Sequence, residues 1–232
     1  MPLQQRAYLL HSRPYQEHQL ILSLLTERDG KVSAMTYRNS QKKLQQQGVL
    51  QPFSPLNILL NEQRAITSIK LLEADGKPLT LVGQHLYSGL YVNELVMRLL
   101  VEQHPCEQLF ERYQQTLIAL VQQQPLELSL RLFELSLLDE LGLTIDFSPV
   151  FNDELTDLQY QAEEGFIDHH HSTYRAGVPC FSRTSLQAIA QQNFSNAATL
   201  LTLKRLMRQV FMPLLGNRPL KSRELFKKRE LN

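Results

Sequence analysis

The 232-residue sequence contains no tryptophan and only nine glycines. Those glycines form neither a Gly-x-Gly-x-x-Gly pattern nor a phosphate-binding loop, and the sequence has no Gly-x-Ser-x-Gly nucleophile elbow. Without a cradle of backbone donors, binding and hydrolysis of a nucleotide is not expected. These absences predict a protein that is not an enzyme and carries no cofactor.

Cysteine and long apolar runs are also scarce. Cys106 and Cys180 are the two cysteines, and they lie too far apart in sequence to suggest a disulfide framework. No apolar run approaches the roughly eighteen residues of a membrane span, and the first six residues are too polar for a secretory signal. We therefore expect a reduced, cytoplasmic protein that does not enter a membrane.

Charge is distributed unevenly along the chain, although the overall net charge is only +1. Residues 1–80 carry a net charge of +4, residues 81–203 a net charge of −10, and residues 204–232 a net charge of +7. Lysine and arginine side chains that displace counterions from phosphates supply most sequence-independent affinity for nucleic acids. The basic ends therefore indicate nucleic-acid binding, with a solvated basic tail beside an ordinary helical face as the alternative.

The N-terminal third has the short alternating apolar runs of β-strands. Five such segments precede a turn at residues 75–78, and residues 27–30 form a turn signal between the second and third. The predicted strands are residues 6–12, 20–26, 31–38, 53–60 and 65–73. Five short strands in this length suit a small barrel, either an OB-fold or an SH3-like barrel.

Beyond residue 78 the apolar period lengthens to that of helices. Residues 143–182 lose this period, apart from strand-like pieces at 158–161 and 165–167, and are interpreted as a small irregular insertion. We therefore predict a multi-domain α+β protein with a barrel domain at 1–78 and a helical domain at 79–232. The predicted helices are residues 86–101, 106–121, 126–141, 184–192 and 197–215, with a short last helix capped by Ser222.

The insertion contains the one cluster that resembles a metal site. Asp168 and three consecutive histidines, His169 to His171, precede Cys180 in the same loop. Adjacent side chains of an extended chain point to opposite sides, so these residues do not readily supply the four ligands of a structural zinc. A solvated polar loop without metal is the preferred interpretation.

Arg131 is the only cation between Arg112 and Arg175. One interpretation is an ion pair on the helix surface with Glu127 or Glu134, four residues before it and three after it. The other is a receptor for the carboxylate of a partner, which would leave Arg131 with little importance for stability.

Two groups of residues are candidates for DNA contact. At the end of the third strand a tyrosine next to a basic loop suits a groove that follows the phosphate backbone and stacks a base; an exposed loop beside a tyrosine at the edge of the core is the alternative. The second group lies on one side of the long predicted helix and in the basic block that follows. The candidates are Tyr37, Arg38, Lys42 and Lys43, then Lys204, Arg205, Arg208, Lys221 and Arg223.

Four segments, in the same order along nearly the whole chain, resemble the RecO family of bacterial recombination mediators. They are QPFSPL (51–56), LYSGLYVNEL (86–95), RLFE (131–134) and PLKSRELF (219–226). The resemblance implies an OB-fold followed by a helical domain that carries a small zinc-finger-like insertion. It also implies that the protein binds and anneals single- and double-stranded DNA and acts close to the nucleoid, as a monomer when alone.

The resemblance also implies protein partners. With RecR, members of this family help to load RecA onto single-stranded DNA coated with single-strand-binding protein. They contact the acidic C-terminal tail of that protein, and the family arginine of this contact falls on Arg131, with Leu128 and Leu132 as its apolar neighbours. A non-catalytic protein adaptor that does not bind DNA is the competing function.

This sequence departs from the family pattern in two places. Many relatives carry four zinc-binding cysteines in the insertion, whereas residues 143–182 contain only Cys180. The loop after the third strand, residues 37–43, lacks the glycine that relatives often have there. We therefore expect no zinc in the insertion.

Overall fold

The computed structural model describes residues 4–37, 49–61, 67–152, 157–168, 170–216 and 218–227. Its contacts divide the chain into two compact units, one made of residues 1–126 and 220–232 and the other of residues 127–219. The first unit is therefore discontinuous in sequence. This grouping differs from the predicted division at residue 78, which stays a prediction.

The first unit begins with five strands that close into a barrel in the order β1-β2-β3-β5-β4. All neighbouring pairs are antiparallel except β3 and β5, and pairing of β1 with β4 closes the barrel. The prediction of a five-stranded OB-type barrel is confirmed. The strands are β1 (Gln5–Tyr15), β2 (Gln19–Thr26), β3 (Gly30–Tyr37), β4 (Pro55–Asn61) and β5 (Ser68–Ala74).

Alternate residues of the strands fill the barrel, because successive side chains of a strand point to opposite faces. β2 and β4 show this alternation most clearly, with Leu22, Leu24, Ile58 and Leu60 all at 5% exposure or less. The other members of this core are Ala7, Leu9, Val32, Ala34 and Leu56.

Among the described residues of the first unit, two helices pack against the barrel: α1 (Gly83–Leu99) and α2 (Glu107–Val121). The ring of Tyr8 on β1 lies 5.7 Å from that of Phe110 and 5.2 Å from that of Tyr113, both on α2. Lys31 Nζ on β3 donates a hydrogen bond of 3.1 Å to the Met97 carbonyl of α1. Burial of this ammonium group lowers the pKa of Lys31.

Two glycines allow close backbone approaches in this packing. A Cβ at Gly30, whose φ is +66°, would lie 1.8 Å from the His104 carbonyl oxygen. A Cβ at Gly89 on α1 would lie 2.9 Å from ring atoms of Phe53. Phe53 has a φ of +68°, so β4 begins at Pro55 and not at residue 53 as predicted.

The C-terminal helix α6 (Lys221–Lys227) returns to the first unit and packs on α1. The Glu94 carboxylate accepts hydrogen bonds of 2.9 Å from the backbone amides of Lys221 and Ser222, and one of 2.7 Å from the Ser222 hydroxyl. Burial would raise the pKa of Glu94, but these hydrogen bonds outweigh it and the pKa lies below its usual value. The prediction that Ser222 caps this helix is wrong. Ser222 lies inside the helix, and its amide and hydroxyl both donate hydrogen bonds to Glu94.

In its described residues, the second unit combines three α-helices with a small sheet. The helices are α3 (Leu126–Glu140), whose first residue belongs to the first unit, α4 (Arg183–Ala190) and α5 (Ala197–Leu215). The sheet has the order β7-β6-β8 and comprises β6 (Asp157–Gln161), β7 (Gly165–Ile167) and β8 (Phe181–Ser182). A short 3₁₀ helix, Ser148–Phe151, precedes it.

The two strand-like pieces predicted in the insertion are confirmed as β6 and β7. β8 was missed because its two residues are too few to show an alternating pattern. Among the described residues, no helix is long and apolar enough to cross a membrane.

Candidate nucleic-acid interface

The outer face of β1, β2 and β3 is divided into a covered half and an open half. In the covered half, Tyr8 packs on α2, Leu25 is fully buried and Lys31 bonds to α1. The Ser33 hydroxyl donates a hydrogen bond of 2.7 Å to the Glu102 carboxylate, at the boundary between the two halves. Beyond this boundary the strands continue with exposed residues, among them His11, Arg13, Tyr15 and Tyr37.

The open half consists of three rows of residues that lie side by side across the three strands. Strand pairing sets the rows, since residues directly opposite in an antiparallel pair have neighbouring side chains. From the boundary outward the rows are His11, Ser23 and Ser33; then Arg13, Ile21 and Met35; then Tyr15, Gln19 and Tyr37.

The open half provides two aromatic rings and a cation on one surface. Tyr15 is 39% exposed and Tyr37 is 57% exposed, and His11 and Arg13 are exposed as well. None of its nine residues is acidic. Exposed aromatic rings with a neighbouring arginine suit stacking of nucleobases and attraction of a phosphate backbone.

The structure places one predicted DNA contact on this surface. Tyr37 ends β3 in the outermost row, opposite Gln19. Arg38, Lys42 and Lys43 lie outside the described residues.

Sequence reasoning missed His11, Arg13 and Tyr15. The predicted first strand stops at residue 12, whereas β1 continues to Tyr15 through Pro14. His11, Arg13 and Tyr15 are every second residue of the segment HSRPY (11–15), which is the spacing of side chains on one face of a strand. The strand was nevertheless predicted to end before Pro14, because proline is an unfavourable strand residue.

The predicted basic side of the long helix lies on α5, in the second unit. Arg205 and Arg208 are exposed. Lys204 Nζ lies 2.6 Å from Glu127 Oε1, in an ion pair whose side chains are 33% and 47% exposed. An exposed pair of this kind is worth less than about 1 kcal/mol, so it does not prevent Lys204 from moving to a phosphate.

The last predicted basic residues, Lys221 and Arg223, are exposed on α6 in the first unit. The guanidinium carbon of Arg223 lies 6.0 Å from the centre of the Tyr91 ring, a cation–π contact.

The side chain of Arg131 does not lie on the solvent-exposed side of α3. Its guanidinium is 2.7 Å from Glu134, and the two residues are 6% and 0% exposed. The predicted pairing with Glu134 therefore forms, but as a buried ion pair, while Glu127 pairs with Lys204. The interpretation of a pair on the helix surface is therefore wrong. Since breaking a buried ion pair is strongly destabilising, we expect Arg131 to matter for stability as well.

The other two residues predicted for the tail contact, Leu128 and Leu132, are partly buried on α3. They lie one turn apart on the same side of the helix, so one apolar side chain could contact both.

The insertion brings its polar residues into local hydrogen bonds. His171 Nδ1 lies 2.9 Å from Thr173 Oγ1, and the Asp168 carboxylate accepts a hydrogen bond of 3.1 Å from the His170 amide. His169 lies outside the described residues, and among the described residues no group of three potential ligands could hold a metal.

We expect purified protein to contain less than about 0.1 zinc per chain, because one cysteine and neighbouring histidines cannot close a four-ligand site. Elemental analysis after dialysis without chelator measures this directly. One zinc per chain, with loss of the folded state on chelation, would contradict the expectation.

Two family models match the chain. The model described as "Recombination protein O N terminal" matches residues 1–75, and that described as "Recombination protein O C terminal" matches residues 83–224. A relative from Psychromonas ingrahamii, named DNA repair protein RecO, is 36% identical and is aligned over 95% of this chain and 96% of its own length. A relative of the same name from Cellvibrio japonicus is 40% identical, over 96% and 95% of the two chains.

Proposed function

Since this chain belongs to the RecO family of DNA repair proteins, we propose that it binds single-stranded DNA on the open half of its barrel face. The observation that supports this most is the placement of Tyr15, Arg13 and Tyr37 on one exposed surface without an acidic residue. The face of these strands is also where OB-folds take oligonucleotides.

The proposed mode of binding combines stacking with charge. Bases exposed in a single strand would stack on the rings of Tyr15 and Tyr37, while Arg13 draws the phosphate backbone toward the sheet. A base inside a duplex is already stacked on its neighbours, so this contact favours single strands.

Further basic residues extend the contact beyond the sheet. Arg38, Lys42 and Lys43 follow Tyr37 in sequence, and we propose that they continue along the phosphate backbone. Lys204, Arg205 and Arg208 on α5 and Lys221 and Arg223 on α6 are proposed as additional phosphate contacts. If the sheet face binds one strand and the basic residues of α5 and α6 bind another, one protein could hold two strands, as annealing of complementary DNA requires.

The proposed protein partners follow from family membership. We propose that the protein acts with RecR to help load RecA onto single-stranded DNA coated with single-strand-binding protein. The acidic tail of that protein is proposed to dock beside Leu128 and Leu132. A tail carboxylate that reaches Arg131 would have to compete with Glu134, which already holds the guanidinium at 2.7 Å.

We expect Tyr37→Ala to weaken binding of single-stranded DNA by about 1–3 kcal/mol, the value of one base–aromatic stack. Arg13→Ala should flatten the dependence of log affinity on log salt by about 0.7 units, the share of one phosphate contact on a single strand. Fluorescence anisotropy with labelled single-stranded DNA across a salt series measures both effects.

Arg28→Ala is the matched control, since Arg28 is exposed in the turn between β2 and β3, at the opposite end of the barrel. Its removal should change affinity and salt slope much less than Arg13→Ala. If Tyr15→Ala, Tyr37→Ala and Arg13→Ala all bind DNA like the wild type, the DNA path lies elsewhere. Absence of DNA binding by the wild type at low salt would favour the protein adaptor.

A further inference from the structure

The outward-facing residues of β1 are even-numbered in its first half and odd-numbered in its second half. In its first half Ala7 and Leu9 lie in the barrel core, and Tyr8 faces outward onto α2. In its second half the odd-numbered residues His11, Arg13 and Tyr15 lie on the outer face. The change takes place at Leu10.

The pairing of β1 with β2 identifies this change as a β-bulge. Leu9 lies opposite Leu24, and His11 lies opposite Ser23, so β1 advances by two residues while β2 advances by one. Leu10 is the extra residue. If the strand continued regularly from Leu9, Arg13 would lie opposite Leu20 and point to the inner side, because a slip of one residue reverses every side chain.

A residue of α1 holds the backbone of the bulge. Asn93 Nδ2 donates a hydrogen bond of 3.3 Å to the Leu10 carbonyl, and the Tyr113 hydroxyl on α2 donates one of 2.6 Å to Asn93 Oδ1. All three residues are 5% exposed or less. A bulge leaves backbone groups of the extra residue outside the strand ladder, and a buried carbonyl without a partner is costly. Asn93 therefore stabilises the bulged register.

We infer that Asn93, oriented by Tyr113, is a positioning residue that places His11, Arg13 and Tyr15 on the DNA-binding face through the bulge at Leu10. The inference rests on the proposed function for its effect on DNA, but its effect on strand register can be measured without DNA. Burial raises the pKa of Tyr113 well above its usual value, which favours the protonated hydroxyl that donates to Asn93.

The register can be read with pairs of introduced cysteines. Residues directly opposite in an antiparallel pair are close enough for a disulfide, whereas side chains on opposite faces are not. Arg13→Cys with Ile21→Cys reports the bulged register, and Arg13→Cys with Leu20→Cys reports the slipped one. The exposed Cys180 is replaced by serine in all of these chains, and the buried Cys106 is kept.

With Asn93 present, the 13–21 pair should oxidise in glutathione buffer and the 13–20 pair should remain reduced, as judged by mass spectrometry. Asn93→Leu should reverse this preference. Without introduced cysteines, Asn93→Leu should weaken binding of single-stranded DNA about ten-fold or more, the loss expected when one stacked base is released.

Deletion of Leu10 provides the rescue. A chain without the extra residue can run regularly from Leu9 to His11 and keep His11 opposite Ser23, so it needs neither the bulge nor Asn93. Deleting Leu10 from the Asn93→Leu chain should restore oxidation of the 13–21 pair and most of the DNA affinity. Leu117→Ala, at a fully buried position of α2, is the control for destabilisation and should change neither readout in the folded protein.

Unchanged cysteine pairing and unchanged DNA affinity in Asn93→Leu would overturn the inference. A reversed pairing with unchanged DNA affinity would support the positioning role and contradict the proposed DNA-binding face. If Asn93→Leu does not fold, Tyr113→Phe decides instead. That variant should show partial oxidation of the 13–20 pair, and wild-type pairing with wild-type DNA affinity would overturn the inference.

Discussion

Arg131→Ala is expected to lower the free energy of unfolding by about 3–5 kcal/mol, the cost of removing one partner from a buried ion pair. Arg131 and Glu134 are almost fully buried and 2.7 Å apart, so the substitution removes the guanidinium that the buried Glu134 carboxylate contacts. Urea unfolding followed by circular dichroism measures the loss. An unfolding free energy within about 1 kcal/mol of the wild type, as found for exposed pairs, would contradict it.

A double substitution separates this stability effect from the proposed contact with the acidic tail. Arg131→Met with Glu134→Leu removes both charges together and keeps apolar side chains in their place, which is often neutral or stabilising for a buried pair. The double variant should therefore unfold at a denaturant concentration near that of the wild type. If it also binds the tail peptide as tightly as the wild type, Arg131 is a structural residue and not the tail receptor.

Gly30→Ala is expected to lower the free energy of unfolding by about 2–5 kcal/mol, from a steric overlap of about 1–3 kcal/mol and a left-handed backbone penalty of about 1–2 kcal/mol. The new Cβ would lie 1.8 Å from the His104 carbonyl oxygen, and a backbone group cannot move aside as a flexible side chain can. Thermal unfolding followed by circular dichroism measures the effect.

Gly142→Ala is the matched control. Gly142 has nearly the same backbone conformation, with a φ of +70°, but a Cβ there would meet nothing within 4 Å. It should show the left-handed backbone penalty alone, about 1–2 kcal/mol. Equal losses for the two glycines would mean that the loop containing His104 moves away from the barrel without cost.

Much of the fold follows from local pattern. The barrel strands alternate because one face is buried, and the long helix Ala197–Leu215 was predicted with its observed bounds because its apolar residues recur at helical spacing. Strand ends were less predictable. Phe53 is apolar and looks like a strand residue, but a left-handed backbone conformation places it outside β4.

The candidate site was less visible in the sequence because it depends on contacts between distant residues. A bulge held from α1 brings Arg13 and Tyr15 to the outer face, and no local pattern in β1 reveals the residue that holds it. Arg131 shows the same limit. Helical spacing predicted Glu127 or Glu134 as its partner, and Glu134 is the one that pairs with it, but spacing along one helix does not reveal what covers that side of the helix.

The return of α6 to the first unit has a consequence for folding during synthesis. A ribosome makes residues 127–219 before it makes Lys221 and Ser222, whose amides the Glu94 carboxylate binds. Until then Glu94 must be hydrated or bonded elsewhere, and the surface of α1 that receives α6 stays uncovered. The barrel strands, α1 and α2 precede the second unit in sequence and are translated first, but the first unit is completed only after all of the second has been translated.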